Sequence, residues 1–189
     1  MRQFLFFLLF VNCIYSQDTY KAKIITNYTF VLTNKNENAI YSLNANELDS
    51  LITLSPKKYH LIYSYATWCK SCNIFFPKIL NLVKNSKNIQ LYVINIERNN
   101  SRYLKWTKEA FKNKFNYLNN TFMVSDTYGK RRYKKYERFI QNIAPDHKNY
   151  GLSLIVLFDN NKNLLYASTY FEEDDAEIKK INMLTKNNP

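Results

Sequence analysis

The sequence predicts an α/β domain in which a central mixed β-sheet is flanked by helices, and three observations support this fold class. Apolar runs rich in β-branched residues occupy 59–65 and 89–96, which is typical of buried strands. A third run at 152–158 is followed by the Asn-rich turn 159–163 and a return segment, which predicts an antiparallel hairpin. Segments with helical spacing of apolar residues separate these strands, so we expect helices to pack against the sheet.

The same patterns predict the remaining elements. The β-branched and aromatic residues of 20–33 and 39–43 predict strands in an N-terminal extension over 17–43. Helices are predicted where apolar residues recur at intervals of three or four, in 48–54, 74–83, 101–118, 129–143 and 178–184. Residues 97–150 are longer than one connecting helix requires, so we expect a helical insertion there. The main domain is predicted to span 44–189.

The first sixteen residues have the pattern of an export signal. Arg2 supplies a positive charge, 4–11 is an apolar stretch too short to span a bilayer comfortably, and a cleavage site fits after Ser16. We therefore predict a signal peptide over 1–16 and an exported protein, periplasmic or extracellular. Two alternatives would hold the protein at a membrane: an uncleaved leader, or lipidation at Cys13.

The composition supports a packed domain with a basic surface. Hydrophobic residues make up 46% of the chain, and 27 Lys and Arg against 15 Asp and Glu give a formal net charge of +12. The lysines are spread along the chain, and an exported protein rarely meets nucleic acid, so nucleic-acid binding is not expected. The segment 130–138 interleaves cations with tyrosines on its apolar stripe. It is either a solvated helix face or a docking face for an acidic partner or a membrane surface.

Cysteine usage singles out one pair. If the leader is cleaved, Cys13 is lost and the chain keeps Cys69 and Cys72, so disulfides are not used as general staples. This spacing suits a redox couple or half of a metal site, and it also arises by chance. A zinc site needs two further ligands, and the only histidines are His60 and His147. We expect His60 at the surface and His147 in a solvated loop, which favours the redox interpretation.

The pair lies between a buried strand and a predicted helix, and this position has chemical consequences. A cysteine at a helix N-terminus faces unpaired backbone N–H groups and the positive end of the helix dipole, which stabilise a thiolate. Cys69 is therefore the expected attacking sulfur, and Cys72 lies one turn inside as the resolving thiol. Lys70 adds a cation beside the nucleophile.

The motif Trp68-Cys69-Lys70-Ser71-Cys72 resembles the W-C-x-x-C motif of the thioredoxin-like superfamily. Pro77 stands five residues after the second cysteine, where the family has the proline that bends the helix, and the hairpin beginning in 151–159 is similar to the late hairpin of the family. The similarity covers roughly 40–186. The lead-in 66–67 and the N-terminal strands most resemble exported, TlpA-like thiol-disulfide oxidoreductases.

The resemblance implies an oxidoreductase that exchanges disulfides with protein thiols and needs no cofactor beyond its own redox-active disulfide. The side chains expected to contact the substrate are those of Trp68, Lys70, Ser71 and Ser153.

The chain departs from the family at two positions. Ser153 stands where the family has a cis-proline facing the cysteines, and Tyr63 where many cytosolic thioredoxins have a buried acid. The absence of the proline keeps two alternatives open: a non-catalytic thioredoxin-like binding module, or a soft-metal (copper) protein that uses the same pair. If serine at this position slows disulfide exchange, Ser153→Pro should raise the catalytic rate.

Overall fold

The computed structural model describes five stretches of the chain, namely 23–24, 39–98, 102–148, 151–169 and 174–186. The predicted signal peptide over 1–16, with Cys13, lies outside these stretches, as does most of the N-terminal extension. Within them, no helix combines the length and the apolar character needed to cross a membrane.

A single mixed sheet runs through the described residues. Its seven strands are β1 Lys23–Ile24, β2 Tyr41–Leu43, β3 Tyr59–Tyr65, β4 Ile89–Asn95, β5 Thr121–Val124, β6 Ile155–Asp159 and β7 Leu164–Ala167. Their order across the sheet is β1-β2-β5-β4-β3-β6-β7. The first five strands in this order pair in parallel, whereas β6 is antiparallel to both β3 and β7. The predicted mixed sheet with a late antiparallel hairpin is confirmed.

Five α-helices lie in the described residues, and all five positions were predicted. They are α1 Ala45–Leu54, α2 Lys70–Lys84, α3 Arg102–Glu109, α4 Arg132–Ile143 and α5 Asp174–Lys186. Asn44 caps α1: its side chain accepts a hydrogen bond from the Glu47 N–H at 3.0 Å, and the Glu47 carboxylate accepts one from the Asn44 N–H. This capping box satisfies donors that a helix N-terminus otherwise leaves unpaired.

One face of the sheet is covered by aromatic side chains. Successive residues of a strand point to opposite faces, so Tyr63 and Tyr65 of β3, two positions apart, share a face. Phe76 of α2 contacts both rings, with centroids 5.6 Å from Tyr63 and 5.8 Å from Tyr65. Phe111 packs edge-on against Tyr65 at 4.8 Å. This aromatic cluster anchors α2, and therefore the cysteine motif at its start, to the strand that precedes the motif.

The opposite face is covered by α1 and α4, which pack against each other. Tyr92 of β4 donates a hydrogen bond to the Leu51 carbonyl oxygen of α1 at 3.2 Å and stacks on His60 of β3 at 6.0 Å. With helices on both faces, the domain has three layers around one core.

The stretch 97–150 is less helical than predicted. The helix expected over 101–118 ends earlier, because α3 passes into a π-helical turn at Ala110–Lys114 and a 3₁₀ turn at Leu118–Asn120. The strand β5 then follows, fully buried between β2 and β4. Its four residues are too few to show a strand pattern by themselves, and their neighbours in the sheet are distant in sequence.

Candidate active site

The cysteine motif lies where β3 ends and α2 begins. The chain leaves the sheet after Tyr65 and turns through 66–68, and the Cys69 N–H donates to the Ala66 carbonyl oxygen at 3.1 Å. Cys69 is the N-cap of α2. The motif thus lies at the carboxyl ends of the parallel strands β3 and β4, the edge at which open α/β sheets bind their ligands.

Cys69 and Cys72 are joined by a disulfide bond with an S–S distance of 2.07 Å. The Sγ of Cys69 accepts a hydrogen bond from the Cys72 N–H at 3.1 Å and lies 3.2 Å from the Ser71 Oγ. Cys69 is 7% exposed and Cys72 is completely buried. Of the two cysteines, only Cys69 has exposed surface, the arrangement that an attacking and a resolving cysteine would require.

Asn73 fixes the shape of the turn in front of the helix. Its side-chain Nδ2 donates to the carbonyl oxygens of Thr67 and Cys69, both at 2.9 Å, and its Oδ1 accepts from the Tyr65 hydroxyl at 2.6 Å. One side chain thus ties β3, the turn and the first turn of α2 together. No pattern in the sequence marks Asn73, because its role depends on the folded turn.

The other motif residues surround the disulfide. Trp68, Lys70 and Ser71 are exposed, so all three are placed to touch a partner. Pro77 lies inside α2, where it cannot donate the hydrogen bond of an ordinary helical residue.

Ser153 lies beside the cysteines, as expected, and Tyr63 connects it to them. The Tyr63 hydroxyl is 2.6 Å from the Ser153 Oγ and donates to the Cys72 carbonyl oxygen at 3.3 Å. A phenol has one proton, so Ser153 is the donor of the shorter bond. Burial raises the pKa of Tyr63 well above its ordinary value, so this hydroxyl stays neutral. The position that many thioredoxins give to a buried acid therefore holds a neutral hydrogen-bonding group.

The backbone conformation of Ser153 is incompatible with proline at this position. Its φ is 68°, in the left-handed region, whereas a proline ring fixes φ near −65°. No cis peptide bond occurs in the described residues. The adjoining Leu154 N–H donates to the Ser64 Oγ at 2.9 Å, and the Ser64 N–H donates to the Leu154 carbonyl oxygen at 2.9 Å. Ser64 of β3 thus holds this loop through both its side chain and its backbone, and Ser153→Pro conflicts with the observed backbone.

A cavity of about 120 Å³ opens beside the disulfide. Its lining includes Ser71, Phe75 and Ser153, together with Asp174 and Glu177 of α5. A cavity of this size can admit several water molecules, and because Ser153 is part of its lining, water has a route to the Ser153 hydroxyl.

Glu97 and Arg132 form a second polar group near the motif, and neither residue was predicted as part of the site. The Glu97 side chain is fully buried just after β4, and its Oε2 lies 3.1 Å from the Arg132 Nη2. Burial raises the pKa of Glu97 above its ordinary value, and the positive charge of Arg132 opposes that rise. The signal in the sequence is an acid directly after a buried strand, at the sheet edge where the motif lies.

The histidines do not complete a metal site with the cysteines. His60 is buried, contrary to the surface position predicted for it, because it stacks on Tyr92 under α1. It lies five residues before the end of β3, about 16 Å along the strand from the motif. In the part of the chain that the structure describes, no three side chains of His, Cys, Asp or Glu are grouped to hold a metal ion.

Comparison with known proteins places this site in a family. The solution structure of a thiol:disulfide interchange protein from Bacteroides sp. has a TM-score of 0.50 and 15% identity, over 76% of this chain and 84% of that one. A protein from Neisseria meningitidis assigned as a thioredoxin has a TM-score of 0.50 and 14% identity, over 80% and 91% of the two chains. The thioredoxin domain of a thiol-disulfide oxidoreductase from Bacteroides vulgatus has a TM-score of 0.47 and 17% identity, over 67% and 79%.

No curated protein sequence is significantly similar to this one. The first two solved structures share its fold, and the family model described as Thioredoxin matches residues 39–142. That match spans more than half of the chain and includes the cysteine motif and β5. The resemblance expected from the motif is therefore confirmed, and the chain belongs to the thioredoxin family.

Proposed function

We propose that this protein is an exported thiol-disulfide oxidoreductase that exchanges disulfides with extracytoplasmic proteins through Cys69 and Cys72. Proteins of this family act through a disulfide of their own chain and need no cofactor. The observation that carries the proposal is the Cys69–Cys72 disulfide at the start of α2, in which Cys69 keeps 7% of its surface exposed and Cys72 is completely buried. An exchange reaction needs this asymmetry, because one sulfur must meet the partner and the second must wait behind it.

The reaction in the reducing direction has two steps. The Cys69 thiolate attacks one sulfur of a partner disulfide, forming a mixed disulfide and releasing the other partner sulfur as a thiolate, which takes up a proton. Cys72 then loses its proton and attacks the Cys69 sulfur, forming the Cys69–Cys72 disulfide and releasing the second partner thiolate. Two electrons pass to the partner, and the reverse sequence oxidises it.

The neighbouring side chains have separate roles in this proposal. The Cys72 N–H, which donates to the Cys69 Sγ at 3.1 Å, stabilises negative charge on the attacking sulfur, and the helix dipole and Lys70 add to this effect. Ser71 and Ser153 border the cavity beside the disulfide, where a partner chain would lie. Trp68 offers an apolar face next to Cys69.

Export is proposed from the sequence. The predicted signal peptide over 1–16 would direct the chain to the periplasm or beyond, and a domain of residues 44–189 would follow the strand extension 17–43. In that compartment the protein would contribute to thiol-disulfide homeostasis. We also propose that the basic segment 130–138 contributes to partner binding, because α4 begins beside Trp68.

Reduction of insulin by dithiothreitol tests the function, with the wild type, Cys69→Ser and Cys72→Ser compared at equal concentration. Wild type should accelerate insulin reduction and both variants should not. In a second incubation without dithiothreitol, pre-reduced Cys72→Ser should accumulate a mixed disulfide with oxidised insulin, visible as a mass increase that dithiothreitol reverses, whereas Cys69→Ser should not. If wild type is inactive and the reduced pair instead holds Cu(I) tightly, the soft-metal alternative replaces this proposal. Cleavage after Ser16 in a secreting host, read by N-terminal sequencing, tests export separately.

A further inference from the structure

A strip of aromatic and arginine side chains extends from the redox site across the surface. Its members come from the motif, α3 and the first turn of α4, and they are Trp68, Arg102, Tyr103, Trp106, Arg132 and Tyr133. We refer to them as the aromatic–arginine strip. Both tryptophans of the chain belong to it.

The contacts within the strip are continuous. The Arg132 guanidinium lies over Trp68 at 5.3 Å and over Tyr103 at 5.5 Å, so it joins the motif to α3. The Arg102 guanidinium lies over Tyr103 at 5.6 Å and over Trp106 at 5.9 Å. These distances fall within the range of cation–π attraction. The strip is therefore one surface that begins at the neighbour of Cys69.

Glu97 holds the centre of the strip in place from below. Its carboxylate is fully buried and pairs with Arg132 at 3.1 Å. Burying a carboxylate is costly unless it is paired, so the ion pair restricts Arg132 to the position between Trp68 and Tyr103. The backbone of Glu97 is itself fixed, because its N–H donates to the Asn95 Oδ1 at 2.7 Å. A surface ordered in advance loses less entropy when a partner binds.

Three large aromatic side chains of the strip are exposed to solvent. Trp68 is 39% exposed, Trp106 48% and Tyr133 59%, although these are large side chains that a soluble domain normally covers. Tyr133 was expected on the apolar stripe of its helix, yet it lies at the surface, with its ring 6.3 Å from that of Trp68. Trp, Tyr and Arg are the residues that contribute most to binding at protein interfaces.

The outward charge of the strip is positive. Arg102 is exposed, and three further cations, Lys130, Arg131 and Lys134, are exposed around the start of α4. Glu97, the acid that Arg132 contacts, is buried and faces inward. An arginine next to an aromatic ring offers paired N–H donors, which suit a carboxylate, and an apolar surface beside them.

We propose that the aromatic–arginine strip binds an acidic segment of a partner protein next to that partner's reactive cysteine. The proposal rests on the proposed function and names its class of substrate. The occupant is a protein rather than a membrane, because the strip begins at Trp68 and so delivers what it binds directly to the Cys69 sulfur. Charge complementarity would raise the encounter rate with such partners and would weaken with salt.

The test uses three synthetic peptides, each with one cysteine held as a mixed disulfide with thionitrobenzoate. The residues around the cysteine are Asp and Glu in the first peptide, Asn and Gln in the second and Lys in the third. The reduced full-length protein attacks the mixed disulfide and releases coloured thionitrobenzoate. The quantity compared is the ratio of the rate constant for the acidic peptide to that for the neutral one. We expect a ratio of about ten at low ionic strength, falling toward one in 1 M salt.

Two strip variants and two matched controls locate the effect. Arg102→Gln and Trp106→Ala should each lower the ratio at least about threefold. Lys84→Gln removes the same charge at the far end of α2, about 22 Å along the helix from Cys69, and should leave the ratio as in wild type. Met183→Ala removes an exposed apolar side chain of α5 and should also leave it unchanged.

The outcomes separate this proposal from the proposed function. Release that is no faster than with Cys69→Ser for every peptide would refute the oxidoreductase function itself. Release with a ratio near one, or with Arg102→Gln and Lys84→Gln lowering the ratio equally, would overturn the strip alone. Binding of the protein to phosphatidylglycerol vesicles that Trp106→Ala abolishes, with no peptide preference, would assign the strip to a membrane surface and overturn the proposal as well.

Discussion

Replacing Tyr63 by phenylalanine removes a single oxygen atom from the site and leaves the rest of the side chain in place. The ring is buried and contacts Phe75 and Phe76, and these contacts persist in the variant. The hydroxyl accepts from Ser153 at 2.6 Å and donates to the Cys72 carbonyl oxygen at 3.3 Å. Tyr63→Phe therefore reports how strongly this hydroxyl holds the loop beside the disulfide.

The expected loss follows from these two bonds. The bond to Cys72 is long for an O–H donor and contributes little. The bond from Ser153 is short, and breaking it leaves a hydroxyl that borders the water-accessible cavity, so water replaces part of what is lost. We expect Tyr63→Phe to lower the free energy of unfolding by about 1–2 kcal/mol, the lower part of the range for a buried polar group.

Urea unfolding of the oxidised protein measures this loss, which corresponds to a midpoint shift of about 0.5–1 M. Tyr133→Phe is the control, since it removes an exposed hydroxyl and should change stability by less than about 0.5 kcal/mol. A double-mutant cycle with Ser153→Ala should show a coupling of about 1 kcal/mol between the two hydroxyls. Additive losses, or a loss no larger than that of Tyr133→Phe, would refute the assigned hydrogen bond.

Three further predictions concern packing, backbone and charge. Phe76→Ala should lower the free energy of unfolding by about 3–5 kcal/mol, because the ring is fully buried. The control Ile74→Ala changes an exposed residue of the same helix and should lower it by less than about 0.5 kcal/mol. Calorimetry measures both losses, and losses of similar size would contradict the described packing of Phe76. Ser153→Pro should lower the free energy of unfolding by more than about 1 kcal/mol in urea, since the Ser153 φ of 68° excludes proline. A variant as stable as wild type that also reduces disulfides faster would show this to be wrong. Because burial raises the pKa of Glu97, the folded protein keeps this proton to a higher pH than the unfolded chain does, so stability should fall as pH rises from the ordinary carboxyl pKa through the folded one. Glu97→Gln should lack this slope when both proteins are unfolded at about pH 4 to 8, and parallel curves would count against a Glu97 carboxyl whose pKa is raised by burial.

Much of this molecule can be predicted from local sequence. The strand β3, the motif and α2 follow one another along the chain, so an apolar run, two cysteines and Pro77 are enough to place them. The late hairpin is similarly local, because the turn residues after Asp159 lie between its two strands. The reach of the two cysteines also follows from helix geometry, since the N-cap of a helix lies at its end and the residue three positions later lies one turn inside.

The features that surround the motif depend on distant parts of the chain. The side chains of Tyr63 and Ser153 form a hydrogen bond although they are ninety residues apart in sequence. The left-handed backbone at position 153 could not be predicted, because the residue there is serine and not glycine. Glu97 and Arg132 meet because the end of β4 and the start of α4 converge on Trp68. The strand β5 depends on β2 and β4 for its hydrogen bonds. Single-residue patterns contain no information about such pairs until the topology is known.

The reduction potential of the Cys69–Cys72 pair is the most direct test of the central claim, that this disulfide is a redox centre and not a structural bond. The protein is equilibrated with dithiothreitol or glutathione buffers of graded potential, and the thiol fraction is read by alkylation and mass spectrometry. We expect one reversible two-electron transition between about −270 and −120 mV, the range of thioredoxin-type exchange proteins. A midpoint below about −300 mV, or a disulfide that cannot be reduced and reformed reversibly, would contradict it.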